Sequence, residues 1–265
     1  MRLLWAFLRR DLKIAASYRL SFVFMVAGAF VTLTTFYFLA RTFGQTPLLQ
    51  DRYGADYFSF ALMGLATASA LRALQTSFAA RLRQAQVDGS LEVLLSAPLS
   101  TFRVVTLLAA WPIGSALVRA LGLIALGTLL FGARLHLDPL AFALVLALGL
   151  ASFGALGLLS AAFVLTFKRG DPFSYFLDVA TYLLSGVVYP VEVLPGWLRF
   201  AGRLLPSTWA LHGLRAAGLQ GAGLGELSGT LGVLVAFSAV LWPVAWWAIS
   251  ASRRHAERVG TLSQF

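Results

Sequence analysis

Cysteine is missing from all 265 residues, lysine occurs only as Lys13 and Lys168, and aspartate and glutamate together number 11. Each scarcity excludes a kind of chemistry. Without cysteine there is neither a disulfide framework nor a thiolate metal site. A phosphate-cradling loop of the GxxxxGK[ST] type needs lysine directly after glycine, but Lys13 and Lys168 follow Leu12 and Phe167, so the chain has no such loop. The three histidines, His136, His212 and His255, fall in separate segments, with no spacing that gives a metal site or a nucleophile beside its base. Charged residues make up only 12% of the chain against 59% hydrophobic, and the mean hydropathy is +0.80. No soluble domain needs that much apolar surface, whereas a polytopic helical membrane protein does.

What the sequence has in quantity is long apolar runs. Six are long enough to be read as membrane spans, at about 20–40, 57–80, 103–131, 139–167, 173–190 and 229–250. The fifth, ending at Tyr189-Pro190, is short. The net charge of +10 would suit nucleic acid, but the basic residues are spread over the short segments between runs rather than gathered in a stripe, so no nucleic-acid partner is expected. With the N-terminus inside, 13 arginines and lysines fall on cytoplasmic segments and 6 on outer ones, Arg199, Arg203 and Arg215 among the latter. This asymmetry predicts both termini in the cytoplasm. The first apolar run lacks a small-residue cleavage site and is expected to stay in the mature protein.

Three segments between the spans have their own patterns. In residues 1–18, Arg2, Arg9 and Lys13 share one helical face and Leu4, Phe7, Leu8 and Ala15 the other, which predicts a helix lying along the inner surface of the membrane. In 88–98, Asp88-Gly89 makes a turn, Ser90 can cap the following N–H groups, and Pro98 biases Ala97 away from helical geometry. The result is a helix of about two turns whose Leu91, Leu94 and Leu95 form an apolar knob around the Glu92 carboxylate. It is either an ordinary interfacial loop helix or a knob shaped to be gripped. In 191–218, Pro195 suits a first helical turn and Pro206 stops that helix; Trp197, Phe200, Ala201 and Leu204 share one face and Arg199 and Arg203 the other. A second helix is expected from Ser207 as its cap, through Trp209, Leu214 and Arg215, until the glycines from 218 onward. These helices suit either a lipid-facing anchor or an outer gate.

Within the spans, Ala147, Ala151 and Ala155, with Gly149 and Gly157 on a neighbouring row, allow close helix approach inside the chain or against another subunit. Arg72, Arg119 and Asp178 are the ionisable residues at membrane depth. Asp178 lies about 10 Å into the fifth span and Arg72 about 13 Å into the second at a rise of 1.5 Å per residue, so their depths match and predict an ion pair.

The segment Gly89-Ser90-Leu91-Glu92-Val93-Leu94-Leu95-Ser96-Ala97-Pro98-Leu99-Ser100 resembles the coupling helix of the permease subunits of ABC-2 type transporters. Gly186-Val187-Val188-Tyr189-Pro190, followed by Leu194-Pro195, Leu205-Pro206 and Leu214-Arg215, is similar to that family's run after its fifth span. The resemblance covers the layout of nearly the whole chain and implies a single all-α transmembrane domain over 1–265, with six membrane helices, an interfacial helix, a coupling helix and short outer helices. It implies that Ser90, Leu91, Glu92, Leu94, Leu95 and Pro98 meet an ATPase subunit, and that Pro195, Trp197, Arg199, Arg203 and Pro206 lie at the external mouth. It further implies a second permease copy or close homologue, a bacterial cytoplasmic membrane, and export as the usual direction. ATP and magnesium would be held by the ATPase partner, with no cofactor, metal or catalytic residue on this chain. A membrane sensor or assembly scaffold with the same coupling helix is the competing reading.

Overall fold

The computed structural model describes residue 9 and residues 19–43, 53–89, 101–167 and 171–258. Among these residues the structure is all helical. Helices α1 (Arg19–Phe43), α2 (Tyr57–Val87), α3 (Thr101–Phe131), α4 (Pro139–Phe167) and α8 (Ser228–Arg258) are each long and apolar enough to cross a bilayer. Between α4 and α8 lie α5 (Pro172–Leu184), a 3-10 turn at Val191–Val193, α6 (Gly196–Arg203) and α7 (Pro206–Arg215), the last running into a π turn at Ala216–Gln220.

Short polar side chains start several of these helices. Asp56 accepts from Ser59 N at 3.3 Å, Asp138 from Ala141 N at 2.8 Å and Asp171 from Ser174 N at 3.0 Å, so each aspartate satisfies an N–H that the first helical turn leaves without a partner. Pro139 and Pro172 directly follow two of these caps, where a missing N–H costs nothing.

The expected fifth span over 173–190 is shorter in the structure. Helix α5 has 13 residues, about 20 Å at 1.5 Å per residue, against roughly 30 Å of hydrocarbon. It ends because Gly186 takes a left-handed φ of +72°, a conformation that β-branched residues such as the following valines resist. The starts of α6 and α7 also differ from expectation. Pro195 is extended, with ψ 151°, and stands before α6 rather than in its first turn. Leu205, held extended because a proline follows it, takes the cap position expected for Ser207, and Pro206 opens α7.

Helix α2 is the centre of the bundle, packed between α3 and α4, and α8 lies along α4. Since lipid is as apolar as leucine, helices here are held by close packing and hydrogen bonds rather than by hydrophobic burial. A Cβ on Gly157 would come within 2.9 Å of the Leu74 and Gln75 carbonyls, so α4 meets α2 backbone to backbone. The row of Gly149 and Gly157 is therefore used inside the chain. Hydroxyls fasten α4 to α8 at two depths, Ser152 to Ser238 at 3.0 Å and Thr166 to Ser252 at 2.9 Å. The start of α5 is tied to both neighbours, through Ser160 Oγ and Ser174 Oγ at 2.7 Å and from Gln75 Nε2 to Ser174 O at 3.1 Å. Helix α1 stands at the edge against α2 and α3, with Phe22, Phe24, Phe30, Val31 and Phe38 exposed.

Candidate functional site

Two hollows open between α2 and α5. The larger, about 640 Å³, runs from Thr76 to Leu183 and Val187; the smaller, about 330 Å³, runs toward Arg83 and Asp171. Both are lined by Arg72, Thr76 and Asp178, so they form one groove with a charged midpoint. There Arg72 Nε lies 3.0 Å from Asp178 Oδ1. The arginine side chain is 64% exposed and the aspartate 26%, so the pair faces the groove rather than the core. A lone charge at such depth costs several kcal/mol; pairing lets the groove hold polar groups without a net charge. Arg119, on an exposed face of α3, is apart from this pair and donates to Ser115 Oγ at 3.2 Å, one turn away.

Beyond the end of α5, hydroxyls tie the turn after it to α7. Ser185 and Ser207 are 2.5 Å apart, Thr181 donates to Ser207 at 3.3 Å, and Thr208 donates to Gly202 O at 2.6 Å with its hydroxyl oxygen 3.2 Å from Ser185 Oγ. Ser207 therefore crosslinks α7 to the end of α5 instead of capping a helix. Of the outer set, Arg199 donates to Glu192 O at 2.5 Å and Leu194 O at 3.2 Å, holding the Val191–Val193 turn against α6. Arg203 is exposed; its carbonyl accepts from Trp209 Nε1 at 2.9 Å. Trp197, Phe200 and Leu204 are exposed together on the apolar face of α6. The residues expected to meet an ATPase, Ser90, Leu91, Glu92, Leu94, Leu95 and Pro98, lie outside the described residues, as do Arg2 and Lys13. Arg9 is helical and exposed.

Arg215 is the residue whose burial charge counting does not reveal. It is 2% exposed, reaching from α7 to donate to Gly186 O at 2.7 Å and Val187 O at 2.6 Å. Its guanidinium carbon sits 3.5 Å from the centroid of the Phe60 ring on α2. Burial lowers its pKa to about 9, with Tyr53 and Glu192 acting against the shift, so it is charged at neutral pH. One arginine thus fixes the turn after α5 onto α2. A signal for this was present: Arg215 interrupts the apolar series Leu211, Leu214, Ala216, Ala217 and Leu219.

A bundle of several membrane-length helices, with an ion pair set in a groove between two of them, has the build of a membrane transport protein. The family model described as ABC-2 type transporter matches residues 2–219, and the chain belongs to that family. It is similar to the inner membrane transport permease YadH of Escherichia coli (strain K12), 27% identical over 206 residues, 77% of this chain and 78% of that relative. It is also similar to the linearmycin resistance permease protein LnrN of Bacillus subtilis (strain 168), 30% identical over 96 residues, which are 36% of this chain and 25% of that relative. The protein is therefore a transport permease of the ABC-2 type.

Proposed function

We propose that this permease is the membrane subunit of an ATP-driven exporter in the bacterial cytoplasmic membrane. It would work with a second copy or close homologue and with separate ATPase subunits that hold ATP and magnesium. The observation that carries this reading is the groove between α2 and α5, with its Arg72–Asp178 pair, in a chain matched by the family model over 2–219. In this reading α5 and the turn after it make a sixth crossing, both termini and 88–98 face the cytoplasm, and α6 and α7 lie at the outer mouth. The name of one relative, for linearmycin resistance, supports export as the direction.

The coupling knob is Glu92 with Leu91, Leu94 and Leu95, started by Ser90 and ended by Pro98. Its leucines would enter an apolar cleft of the ATPase, and Glu92 would set orientation through charge. Arg2, Arg9 and Lys13 would hold a helix at the same level on the membrane surface. Movement of the knob would reach the groove through α2, which runs from the turn at Asp88-Gly89 to the ion pair without a break.

Co-purification tests the reading. When expressed with its ATPase subunit, the chain should bring that subunit down and stimulate its hydrolysis. Glu92→Arg should abolish or uncouple this stimulation while leaving insertion intact. Normal coupling by the variant would return 88–98 to the status of a loop helix.

A further inference from the structure

A second cavity, distinct from the groove, lies among the Val191–Val193 turn, α6, α7 and the entry to α2. Its volume is about 190 Å³, and its charged and aromatic walls include Tyr53, Glu192, Arg199, Arg203, Trp209 and Arg215. Three guanidinium groups thus face one carboxylate. We infer that this cavity binds a phosphate-bearing anion.

The donors decide the chemistry. The Nη atoms of Arg215 are engaged with Gly186 and Val187, and Nη2 of Arg199 with Glu192 and Leu194 carbonyls. Nε of Arg199 and Nε of Arg215, however, are both buried with no acceptor among the described residues, and Oε2 of Glu192, on the same cavity wall, accepts from neither. A buried N–H on a cation that lacks an acceptor is expensive, and native structures rarely keep two in one cavity. Arg203 adds a third cation whose side chain is exposed at the cavity's edge. One carboxylate, Glu192, leaves the walls with a formal excess of two positive charges. A phosphate group has enough oxygens to accept from several guanidinium donors at once and carries the charge to offset that excess.

The setting favours a lipid headgroup as the source of the phosphate. Arg199 and Arg203 share helix α6 with Trp197 and Phe200, which are 72% and 65% exposed. A short helix with basic residues on one face and aromatic residues on the other lies at headgroup level, so its arginines stand where lipid phosphates are. Only the choice of leaflet rests on the orientation proposed above.

The test needs no ATPase, so its outcome is separate from that of the transport reading. The full chain in neutral detergent is titrated calorimetrically with dihexanoyl phosphatidylglycerol, with inorganic phosphate and with dihexanoylglycerol, which lacks the phosphate. The lipid should bind and dihexanoylglycerol should not. Arg203→Glu should weaken binding about tenfold or more, Arg203→Lys should retain most of it, and Arg134→Glu, an exposed charge outside the cavity, should leave it unchanged. Because the Arg203 side chain is exposed, these variants keep the fold. Binding of inorganic phosphate without the lipid supports the site and assigns it a soluble ligand. Failure of both phosphate probes, equal binding of dihexanoylglycerol, or an equal loss in Arg134→Glu overturns the proposal.

Discussion

A Cβ placed on Gly64 would stand 2.2 Å from Arg215 Nη2 and 1.9 Å from Val187 O, so the missing side chain on α2 is the opening through which the α7 guanidinium reaches the turn after α5. Three elements distant in sequence meet at this point: the first half of α2, the end of α5 and the end of α7.

Gly64→Ala should therefore act through Arg215. We expect a loss of at least about 2 kcal/mol, since both the Val187 carbonyl and the guanidinium must shift to admit the methyl group. In an Arg215→Gln background the same alanine should cost measurably less. Thermal unfolding of the two single variants and the double variant checks this, and additive losses would separate the two residues.

Arg215→Lys and Arg215→Gln should both destabilise the protein, by about 3 kcal/mol, because neither presents two donors in the fixed fork that meets Gly186 and Val187. The lysine variant keeps the charge and loses the fork. A melting temperature of wild-type value for Arg215→Lys would show that charge alone holds the turn.

For the groove, Asp178→Asn and Arg72→Gln should each lower transport or stability, and the double substitution should recover part of the loss, with a coupling of about 1 kcal/mol for so open a pair. Strictly additive defects would mean that the 3.0 Å contact carries no energy.

The absence of native cysteine makes orientation easy to measure. With single cysteines at Ser96 and Trp197, an impermeant thiol reagent applied outside should label Trp197→Cys and spare Ser96→Cys. The reverse pattern would invert the proposed topology.

Much of this architecture could be read from local chemistry. Helix α4 has the bounds expected of it, because Asp138-Pro139 opens it and its apolar run lasts to Phe167. The matching depths of Arg72 and Asp178 followed from helical rise, which converts residue number into depth, while their 3.0 Å contact is seen only in the folded chain. The end of α5 was not legible in the same way, since hydropathy continues through Val187 and Val188 while the chain has already turned at Gly186. The burial of Arg215 was hidden for a related reason: a count of charges by segment records sign and side but not depth. Its carbonyl partners are 28 and 29 residues away, and no local pattern links them.

The shortness of α5 has a consequence for its last carbonyls. A helix leaves its final C=O groups without intrahelical donors, and lipid offers none in their place. Here Leu183 O and the turn carbonyls that follow are met by side chains: the Tyr189 hydroxyl donates to Leu183 O, and Arg215 donates to Gly186 O and Val187 O. Where another helical turn would have supplied amide hydrogens from its own backbone, a phenol and a guanidinium supply them from elsewhere. The sealing of this helix end is thus a property of tertiary structure, and it lasts only while α7 stays docked.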